Sequence, residues 1–379
     1  MEDFSAVLAD WPDARRTDVC QNTTQAQVAR ILTKDNLAPV DFLRLLSPAA
    51  SDMLEDVAKR AHQLTLRYFG RAVSIFTPLY ISDICTNQCR YCGFNAKNKQ
   101  KRTHLSVDEA FKEAKFLHDQ GHRNILLLTG DAPKISSPAY MAEVVSKIKP
   151  LFASIGIEVY ALSEDEYSLL VKTGVDSMTM FQETYNPELY AWLHPVGPKH
   201  DYHWRLAAPT RACQAGMRSV GVGALLGLEA FEQDTFATGL HAYWLERTFP
   251  GVDIGISIPR ICPHEGEFEV QHPVDDRHFA QYVAALRCFL PRSCITCSTR
   301  ESAYMRNHLL ALGVTRISAG VSTKVGGRST APQDNPGQFE ITDKRSLTAV
   351  CEDLANLGYQ AVLKDWEDPT ESSAQTACA

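Results

Sequence analysis

Residues 74–97, "SIFTPLYISDICTNQCRYCGFNAK", join an apolar, β-branched run to a loop that carries three cysteines. The apolar run has the composition of a buried strand. In the loop, three residues separate Cys85 from Cys89, and two separate Cys89 from Cys92. Thiolates at such short spacing are typical metal ligands. The stretch therefore predicts a metal centre at the carboxyl end of the first strand.

The same strand pattern recurs along the chain and alternates with amphipathic helix patterns. Eight runs are predicted as strands: "AVSIFTPLYI", "NILLLTG", "GIEVYAL", "DSMTMFQ", "SVGVGALLG", "DIGISIP", "CITCSTR" and "RISAGVST". Apolar strands that alternate with helices are typical of a parallel sheet covered on both faces. Eight such units predict a TIM-type (β/α)8 barrel over residues 73–366. An open, doubly wound sheet is the alternative.

The rest of the chain sets broad limits on location and partners. Residues 1–72 show helix patterns and predict a helical N-terminal extension, whereas the polar residues 367–379 predict a flexible tail. The net charge of −7 argues against a nucleic acid or an anionic membrane as the main partner. A signal-peptide pattern and an apolar run of membrane-spanning length are both missing. We therefore expect a cytoplasmic protein.

Three cysteines leave one coordination position of a metal centre open. A structural zinc ion prefers four protein ligands. The other close pair, Cys294 and Cys297, lies inside a predicted strand, where an odd separation directs side chains to opposite faces. A [4Fe-4S] cluster held by Cys85, Cys89 and Cys92, with its fourth iron left for another ligand, fits this pattern. Zinc and unliganded core cysteines are the alternatives.

The cysteine spacing, with Tyr91 just before Cys92, resembles the signature loop of radical S-adenosylmethionine (SAM) enzymes. The resemblance implies that the amino and carboxylate groups of SAM complete the cluster. It also implies that an electron from the cluster breaks the sulfonium C–S bond to give a 5′-deoxyadenosyl radical. A non-catalytic iron–sulfur or zinc scaffold is the hypothesis of another class, and such a protein would not need SAM.

Further stretches, among them "LLLTGD", "FQETY", "GVGALLGL", "SIPR" and "STRE", resemble in order and spacing the tyrosine lyases of bacterial thiazole biosynthesis. That family implies cleavage of the Cα–Cβ bond of L-tyrosine to 2-iminoacetate and p-cresol. It further implies a thiazole synthase as partner and flavodoxin or ferredoxin as electron donor.

The resemblance also implies cofactor contacts at strand ends. The turn Thr129 to Asp131 would meet the amino group of SAM, although the related lyases usually carry Glu where Asp131 stands. Glu164, taken as the end of the third strand, could hold ribose hydroxyls, or Ser163 and the acidic residues after it could simply start a helix. Arg205 could meet a cofactor carboxylate or be a solvated helical arginine. The candidate cofactor residues are Cys85, Cys89, Tyr91, Cys92, Thr129, Gly130, Asp131, Glu164 and Arg205.

Arg300 is the candidate for binding the substrate carboxylate, because its planar fork can donate two hydrogen bonds at once. It shares a strand face with Ser298, and an ion pair with Glu301 or a neighbouring barrel residue is the structural alternative. Ser257 and Arg260, at the end of the sixth strand, are secondary candidates.

The fourth strand ends in polar residues that match the family. Gln182, Glu183 and Tyr185 are predicted to face the ligand, because buried polar groups at a barrel mouth need partners. The phenolic proton of tyrosine has three chemically able acceptors: Tyr80, His104 and Glu183.

Two related activities compete with the tyrosine lyase of thiazole biosynthesis. One is the tyrosine lyase that makes carbon monoxide and cyanide for hydrogenase maturation, which "VGPKHDY" at residues 196–202 resembles. That enzyme needs a second cluster, which we do not expect from the ending "SSAQTACA" with its lone Cys378. The other is a tryptophan lyase, which differs mainly in the shape of the substrate pocket.

Overall fold

A computed structural model describes residues 3–262, 268–329 and 337–364. The tail predicted for residues 367–379 lies outside the described residues. Within the described ranges, no helix combines the length and the apolar character needed to cross a lipid bilayer.

The strands of the described chain follow the predicted order. They are β1 (Ala72–Ser82), β2 (Asn124–Thr129), β3 (Ser154–Glu158), β4 (Ser177–Glu183), β5 (Ser219–Ala224), β6 (Asp253–Ser257), β7 (Cys294–Cys297), β8 (Arg316–Ser318) and β9 (Gln360–Val362).

Helices precede β1 and separate the later strands. They are α1 (Phe4–Ala9), α2 (Asp13–Gln21), α3 (Gln25–Ile31), α4 (Pro39–Leu45), α5 (Pro48–Asp52), α6 (Leu54–Phe69), α7 (Val107–Asp119), α8 (Pro138–Ile148), α9 (Glu164–Thr173), α10 (Pro187–Leu193), α11 (Tyr202–Leu206), α12 (Ala208–Gln214), α13 (Phe231–Thr248), α14 (Asp276–Phe289), α15 (Ala303–Leu312) and α16 (Leu347–Asn356).

Strands β1 to β8 form a closed parallel barrel. Each strand pairs with its neighbour in the chain, and β1 pairs with both β2 and β8, which closes the ring. The predicted (β/α)8 barrel is thus confirmed, and the open sheet is excluded. The short strand β9 was not predicted; it pairs with residues 72–74, at the start of β1.

The third strand ends earlier than its apolar pattern predicts. The predicted run covers residues 156–162, but the strand ends at Glu158. Ser163 then caps α9 and forms a capping box with Glu166. Glu164 is therefore not at the end of the third strand; it is an exposed residue in the first turn of α9.

The helical extension covers the barrel helices α13 and α14. Phe42 of α4 stacks on Phe289 of α14, with ring centroids 4.6 Å apart. A Cβ atom at Gly239 of α13 would lie 2.3 Å from the Phe42 ring. Glycine at this position lets the two helices approach closely, so the extension joins the hydrophobic core.

Candidate active site

The cysteine loop, residues 83–104, leaves the carboxyl end of β1 and is closed by its own hydrogen bonds. A side-chain oxygen of Asp83 accepts from the backbone N–H of Thr103 at 2.6 Å. The guanidinium of Arg102 donates to the carbonyl oxygens of Asp83 at 3.0 Å and Asn95 at 2.7 Å. These bonds tie both ends of the loop together and hold the cysteines at the barrel mouth.

The three thiols of the loop are largely shielded from solvent: Cys89 is buried, and Cys85 and Cys92 are half-buried. Burial raises the pKa of Cys85 to about 12, and the charges of Asp131 and Cys92 add to the effect. Burial also raises the pKa of Cys89 well above its ordinary value, whereas Lys199 acts in the opposite sense. Three such thiols need a strong positive centre to become thiolates, as an iron–sulfur cluster provides.

The spread of the thiols favours a cluster over a single ion. Within the described residues, no three His, Cys, Asp or Glu side chains are arranged to hold one metal ion. A single zinc ion would require sulfurs at about 2.3 Å from a common point. A four-iron cluster separates its ligands further, so Cys85, Cys89 and Cys92 fit it.

The turn after β2 packs directly against the cysteine loop. A Cβ atom at Gly130 would lie 2.4 Å from the carbonyl oxygen of Ile84. The Asp131 carboxylate accepts a 2.7 Å hydrogen bond from the amide of Asn87. The hydroxyl of Thr129 is buried and has no partner among the described residues. The predicted turn thus lies beside the cysteines, and Thr129 retains an unpaired polar atom for a ligand.

Tyr91, within the cysteine loop, is held in place by a chain of hydrogen bonds. Nδ1 of His194 lies 2.8 Å from the carbonyl oxygen of Tyr190, so this nitrogen carries the proton. Nε2 of His194 therefore accepts from the Tyr91 hydroxyl at 2.7 Å. Burial lowers the pKa of His194 to about 2, which keeps the imidazole neutral. The hydroxyl of Tyr91 is thus engaged in positioning the loop.

A buried group of charges lies next to Cys92. The ammonium of Lys199 pairs with Glu183, and the Arg205 guanidinium lies 3.8 Å from the same carboxylate. Arg205 also donates to the carbonyl oxygen of Phe181 at 2.8 Å. Because Arg205 is buried, the solvated alternative is excluded. Glu183 has φ 70°, the one positive φ of a non-glycine residue in the described ranges. Strained backbone of this kind is found at functional sites.

A cavity opens from Cys92 into the barrel. Apolar side chains of β1, β2 and β4 form much of its wall. The polar and charged residues that line it include Tyr80, Glu158, Glu183, Ser257, Ser298 and Arg300.

Arg300 faces this cavity, where its guanidinium contacts the thiol of Cys262 but has no carboxylate partner among the described residues. Its guanidinium lies 3.6 Å from the centre of the Phe339 ring. In the described part of the chain it makes no ion pair. Glu301, the predicted structural partner of Arg300, pairs instead with Arg260, which also pairs with Asp276 at 2.8 Å. The alternative role predicted for Arg300 is therefore wrong, and Arg260 is not part of the cavity wall.

Glu158 faces the same cavity from β3, and sequence reasoning missed it. Burial raises the pKa of its carboxyl to about 7, while Arg300 acts in the opposite sense. Strands β3 and β7 are four places apart in either direction around the barrel, so Glu158 at the end of β3 and Arg300 in the turn after β7 reach the cavity from opposite sides of the barrel. The signal that could have identified Glu158 is a single acidic residue inside an apolar strand pattern.

Three predicted ligand-facing residues lie elsewhere. The Tyr185 hydroxyl is hydrogen-bonded to Nδ1 of His241 at 3.0 Å. Its ring packs edge-on against Phe4, so Tyr185 contacts the helical extension. Gln182 is buried and does not line the cavity; neither side-chain polar atom has a partner in the described residues. His104 packs on Tyr140 outside the cavity wall. The irregular register between Phe181 and Glu183 changes the facing of this strand end.

Of the proton acceptors considered for the tyrosine phenol, two do line the cavity. Tyr80 donates a 2.7 Å hydrogen bond to Gln338, and burial raises the pKa of its hydroxyl well above the ordinary value. Tyr80 is therefore a protonated phenol. Glu183 is held by Lys199, which sequence reasoning also missed because a long loop brings it to the site.

Comparisons with known proteins agree with this geometry. Residues 79–237 match the Radical SAM superfamily, and residues 257–360 match the Biotin and Thiamin Synthesis associated domain. The chain is 34% identical to the 2-iminoacetate synthase of Salmonella typhimurium over 97% of each chain. It is 35% identical to that of Escherichia coli over 94% of each chain.

Solved structures show the same architecture. HydG, a maturase of the [FeFe]-hydrogenase, matches with a TM-score of 0.88 and 30% identity, over 96% of this chain and 84% of HydG. Methylornithine synthase (PylB) matches with a TM-score of 0.70 and 21% identity, over 92% of this chain and 99% of PylB, and shares the fold.

Proposed function

The chain belongs to the 2-iminoacetate synthase family of radical SAM enzymes, and we propose that its barrel cavity cleaves the Cα–Cβ bond of L-tyrosine. The products are 2-iminoacetate, p-cresol, 5′-deoxyadenosine and methionine. The observation that carries the assignment of the site is an Arg300 guanidinium that faces the same cavity as Cys92 and forms no ion pair with any described residue.

The cofactors are a [4Fe-4S] cluster and SAM. When bound, they supply the one-electron chemistry that yields the hydrogen-abstracting 5′-deoxyadenosyl radical. Cys85, Cys89 and Cys92 would hold the cluster. The turn at Thr129, Gly130 and Asp131, which packs on the cysteine loop, would face the methionine end of SAM, where a carboxylate attracts an ammonium.

The charged group at Glu183 has a second role in cofactor binding. Lys199 and Arg205 place two buried cations near the Glu183 carboxylate, and the charge of Asp131 acts on both cations as well. Buried cations attract a ligand carboxylate, and the SAM methionine carries one. Glu183 orients both cations, so its strained backbone has a function.

Substrate binding follows from the two opposed charges in the cavity. Arg300 binds the tyrosine carboxylate through parallel N–H donors. Glu158 binds the ammonium, since a buried carboxylate without a partner is costly and a cation relieves the cost. The amino-acid head is thus held between opposite walls, with Ser257 and Ser298 beside it and apolar side chains around the aromatic ring.

Two protein partners and a location complete the proposal. A thiazole synthase would receive 2-iminoacetate, because imines hydrolyse readily in water and benefit from direct transfer. A flavodoxin or ferredoxin would deliver electrons. Both roles are compatible with the cytoplasm, where thiols and low-potential clusters stay reduced.

Product analysis tests the activity. The protein is reconstituted anaerobically with iron and sulfide, reduced with dithionite, and given SAM with either L-tyrosine or L-tryptophan. We expect 5′-deoxyadenosine, p-cresol and glyoxylate, the hydrolysis product of the imine, with tyrosine alone. Cleavage of tryptophan instead would assign the cavity to a tryptophan lyase. Formation of 5′-deoxyadenosine without cleavage of either amino acid would show that neither is the substrate.

A further inference from the structure

The outer face of the cysteine loop carries exposed cations and an exposed aromatic ring. We define this reductant face by its five residues: Arg90, Lys97, Lys99, Lys101 and Trp192. All five are exposed to solvent. None of them takes part in the reaction steps above.

Arg90 and Trp192 form a platform next to the cluster ligand Cys89. Arg90 follows Cys89 in the chain, and its backbone N–H donates to Leu193 at 3.1 Å. Its guanidinium donates to the carbonyl oxygen of Trp192 at 2.8 Å and lies 4.5 Å from the indole centre. The Trp192 side chain remains 50% exposed. A large aromatic ring paired with arginine, both open to solvent, is typical of the centre of a protein interface.

The three lysines extend this platform along the same loop. Lys97, Lys99 and Lys101 make no ion pair with any residue of the described ranges. The chain as a whole has 38 Lys and Arg against 45 Asp and Glu, so the protein is acidic while this face is positive. Such a local reversal of charge attracts and orients an anionic partner.

The reaction itself defines what must arrive at this face. On the proposed function, tyrosine and the SAM cation become 2-iminoacetate, p-cresol, 5′-deoxyadenosine and methionine. These atoms and charges balance only if two electrons and one proton are also taken up. One electron breaks the sulfonium C–S bond, and the other, with the proton, completes the methyl group of p-cresol. The electrons must enter from a reductant outside the chain.

We propose that the reductant face docks a small acidic protein that carries electrons one at a time on a flavin or an iron–sulfur centre. The proposal rests on the proposed function, which requires two deliveries in each turnover. Charge complementarity selects an acidic carrier. Repeated delivery also favours an exposed, polar contact that forms and dissociates quickly over a deeply buried one. The platform places the carrier one residue from the cluster ligand Cys89.

Binding of an acidic FMN-containing flavodoxin tests the proposal. The variant Lys97→Glu/Lys99→Glu is compared with the control Lys172→Glu/Arg247→Glu, which has the same net charge. Lys172 and Arg247 are exposed and lie in the last turns of α9 and α13, at the opposite end of the barrel. The dissociation constant is measured by calorimetry at low and high salt, on protein loaded with its cluster.

We expect the loop variant to weaken binding at low salt by at least about tenfold and the control by no more than about twofold, as electrostatic steering requires. Iron content and dithionite-driven 5′-deoxyadenosine formation should stay at the wild-type level. Arg90→Gln should weaken binding in the same direction. Dithionite reduces the cluster without docking. If the proposed tyrosine reaction is wrong, wild type with dithionite will form no p-cresol, and this result is independent of the flavodoxin affinity.

Three results would overturn the docking site. Equal flavodoxin affinity in the two double variants would assign binding to another surface. Loss of dithionite-driven cleavage in the loop variant would make these lysines structural. Binding of anionic phospholipid vesicles that depends on Lys97 and Lys99, without flavodoxin binding, would assign the face to a membrane.

Discussion

Arg300 and Arg306 lie six positions apart in the chain but have opposite surroundings. The Arg306 guanidinium pairs with Asp343 and donates to the carbonyl oxygen of Ser318, and Arg345 binds the same carboxylate at 2.6 Å. Arg300 instead faces the cavity and the Phe339 ring. The first arginine has its acceptors within the protein, whereas the second is available to a ligand.

The contrast shows which buried charges carry function in this barrel. A buried charge is tolerated when partners compensate it, so a paired charge stabilises one conformation. An unpaired charge in a cavity is a cost to the free protein that a ligand removes. By this criterion we take the pairs at Arg260 and Arg306 as structural and propose that Arg300 and Glu158 bind the substrate.

The largest effect is expected from the cysteine loop. Cys89→Ala should abolish cluster assembly and all SAM cleavage, because two thiolates cannot hold the cluster in place. The matched control is Cys297→Ala, which removes a fully buried thiol on the other face of β7 from the cavity. Iron content and 5′-deoxyadenosine formation are measured in both. A cluster retained in Cys89→Ala, or lost in Cys297→Ala, would contradict the assignment of ligands.

Arg300→Ala should keep the cluster and lose tyrosine turnover. Loss of a charged bidentate contact is expected to lower kcat/KM for tyrosine by roughly 30- to 1000-fold, or about 2–4 kcal/mol. The control Arg306→Ala should instead lower the free energy of unfolding by about 3–5 kcal/mol, because it removes one partner of a buried ion pair and leaves Asp343 with Arg345 alone. Chemical denaturation and p-cresol kinetics separate the two. The comparison fails if both variants lower only kcat/KM for tyrosine, or if both lower only the free energy of unfolding.

Glu158→Gln should raise the free energy of unfolding of the ligand-free protein and lower kcat/KM for tyrosine. Burial raises the pKa of Glu158 from its ordinary 4.5 to about 7. The folded state therefore holds an extra proton between these values, and the resulting stabilisation is lost as the pH rises through about 7. Above that pH the charged carboxylate should cost about 3 kcal/mol, which the glutamine variant recovers.

The same substitution should change the pH dependence of catalysis. In wild type, kcat/KM for tyrosine should fall as the pH drops below about 7, because the carboxylate that binds the ammonium becomes protonated. In Glu158→Gln this fall should disappear and the KM for tyrosine should rise. Unfolding curves and kinetic rates are measured at about pH 6 and about pH 8.5, one below and one above the pKa of Glu158. An unchanged pH profile would remove Glu158 from substrate binding.

The smallest effect is expected at Glu164. Because it is an exposed residue in the first turn of α9, Glu164→Ala should cost about 0.3–1 kcal/mol of stability through the helix dipole. Its affinity for SAM should not change. Isothermal titration with SAM is the measurement, and a clear loss of affinity would restore the contact with the ribose that the sequence pattern left open.

The repeated patterns of the sequence were sufficient for the barrel and the cysteine loop. Periodicity identifies β/α units, and ligand spacing within one loop is a local property, so both are visible in the chain. Arg300 was also proposed, from the match of "STRE" to the lyase family and from the ability of arginine to bind a carboxylate. These features can be read from short stretches of the chain.

Residues that depend on distant contacts were placed less well. Glu158 was missed because the apolar pattern continues past the true end of β3, to residue 162. Tyr185 was misplaced because the irregular end of β4 changes the direction of its side chains. Arg260 was assigned to the site from its place in "SIPR" at the end of the sixth strand, but it pairs with Glu301 from another strand connection. Pairings of this kind arise only when the barrel closes.

The coupling of p-cresol to 5′-deoxyadenosine in wild type and Arg300→Ala tests most directly whether the unpaired cavity charges bind the substrate. With tyrosine and SAM under anaerobic conditions, wild type should release the two products in equal amounts. Arg300→Ala should still form 5′-deoxyadenosine, while p-cresol per 5′-deoxyadenosine falls at least about tenfold. Full coupling in Arg300→Ala would contradict the account, because the tyrosine carboxylate would then be held elsewhere.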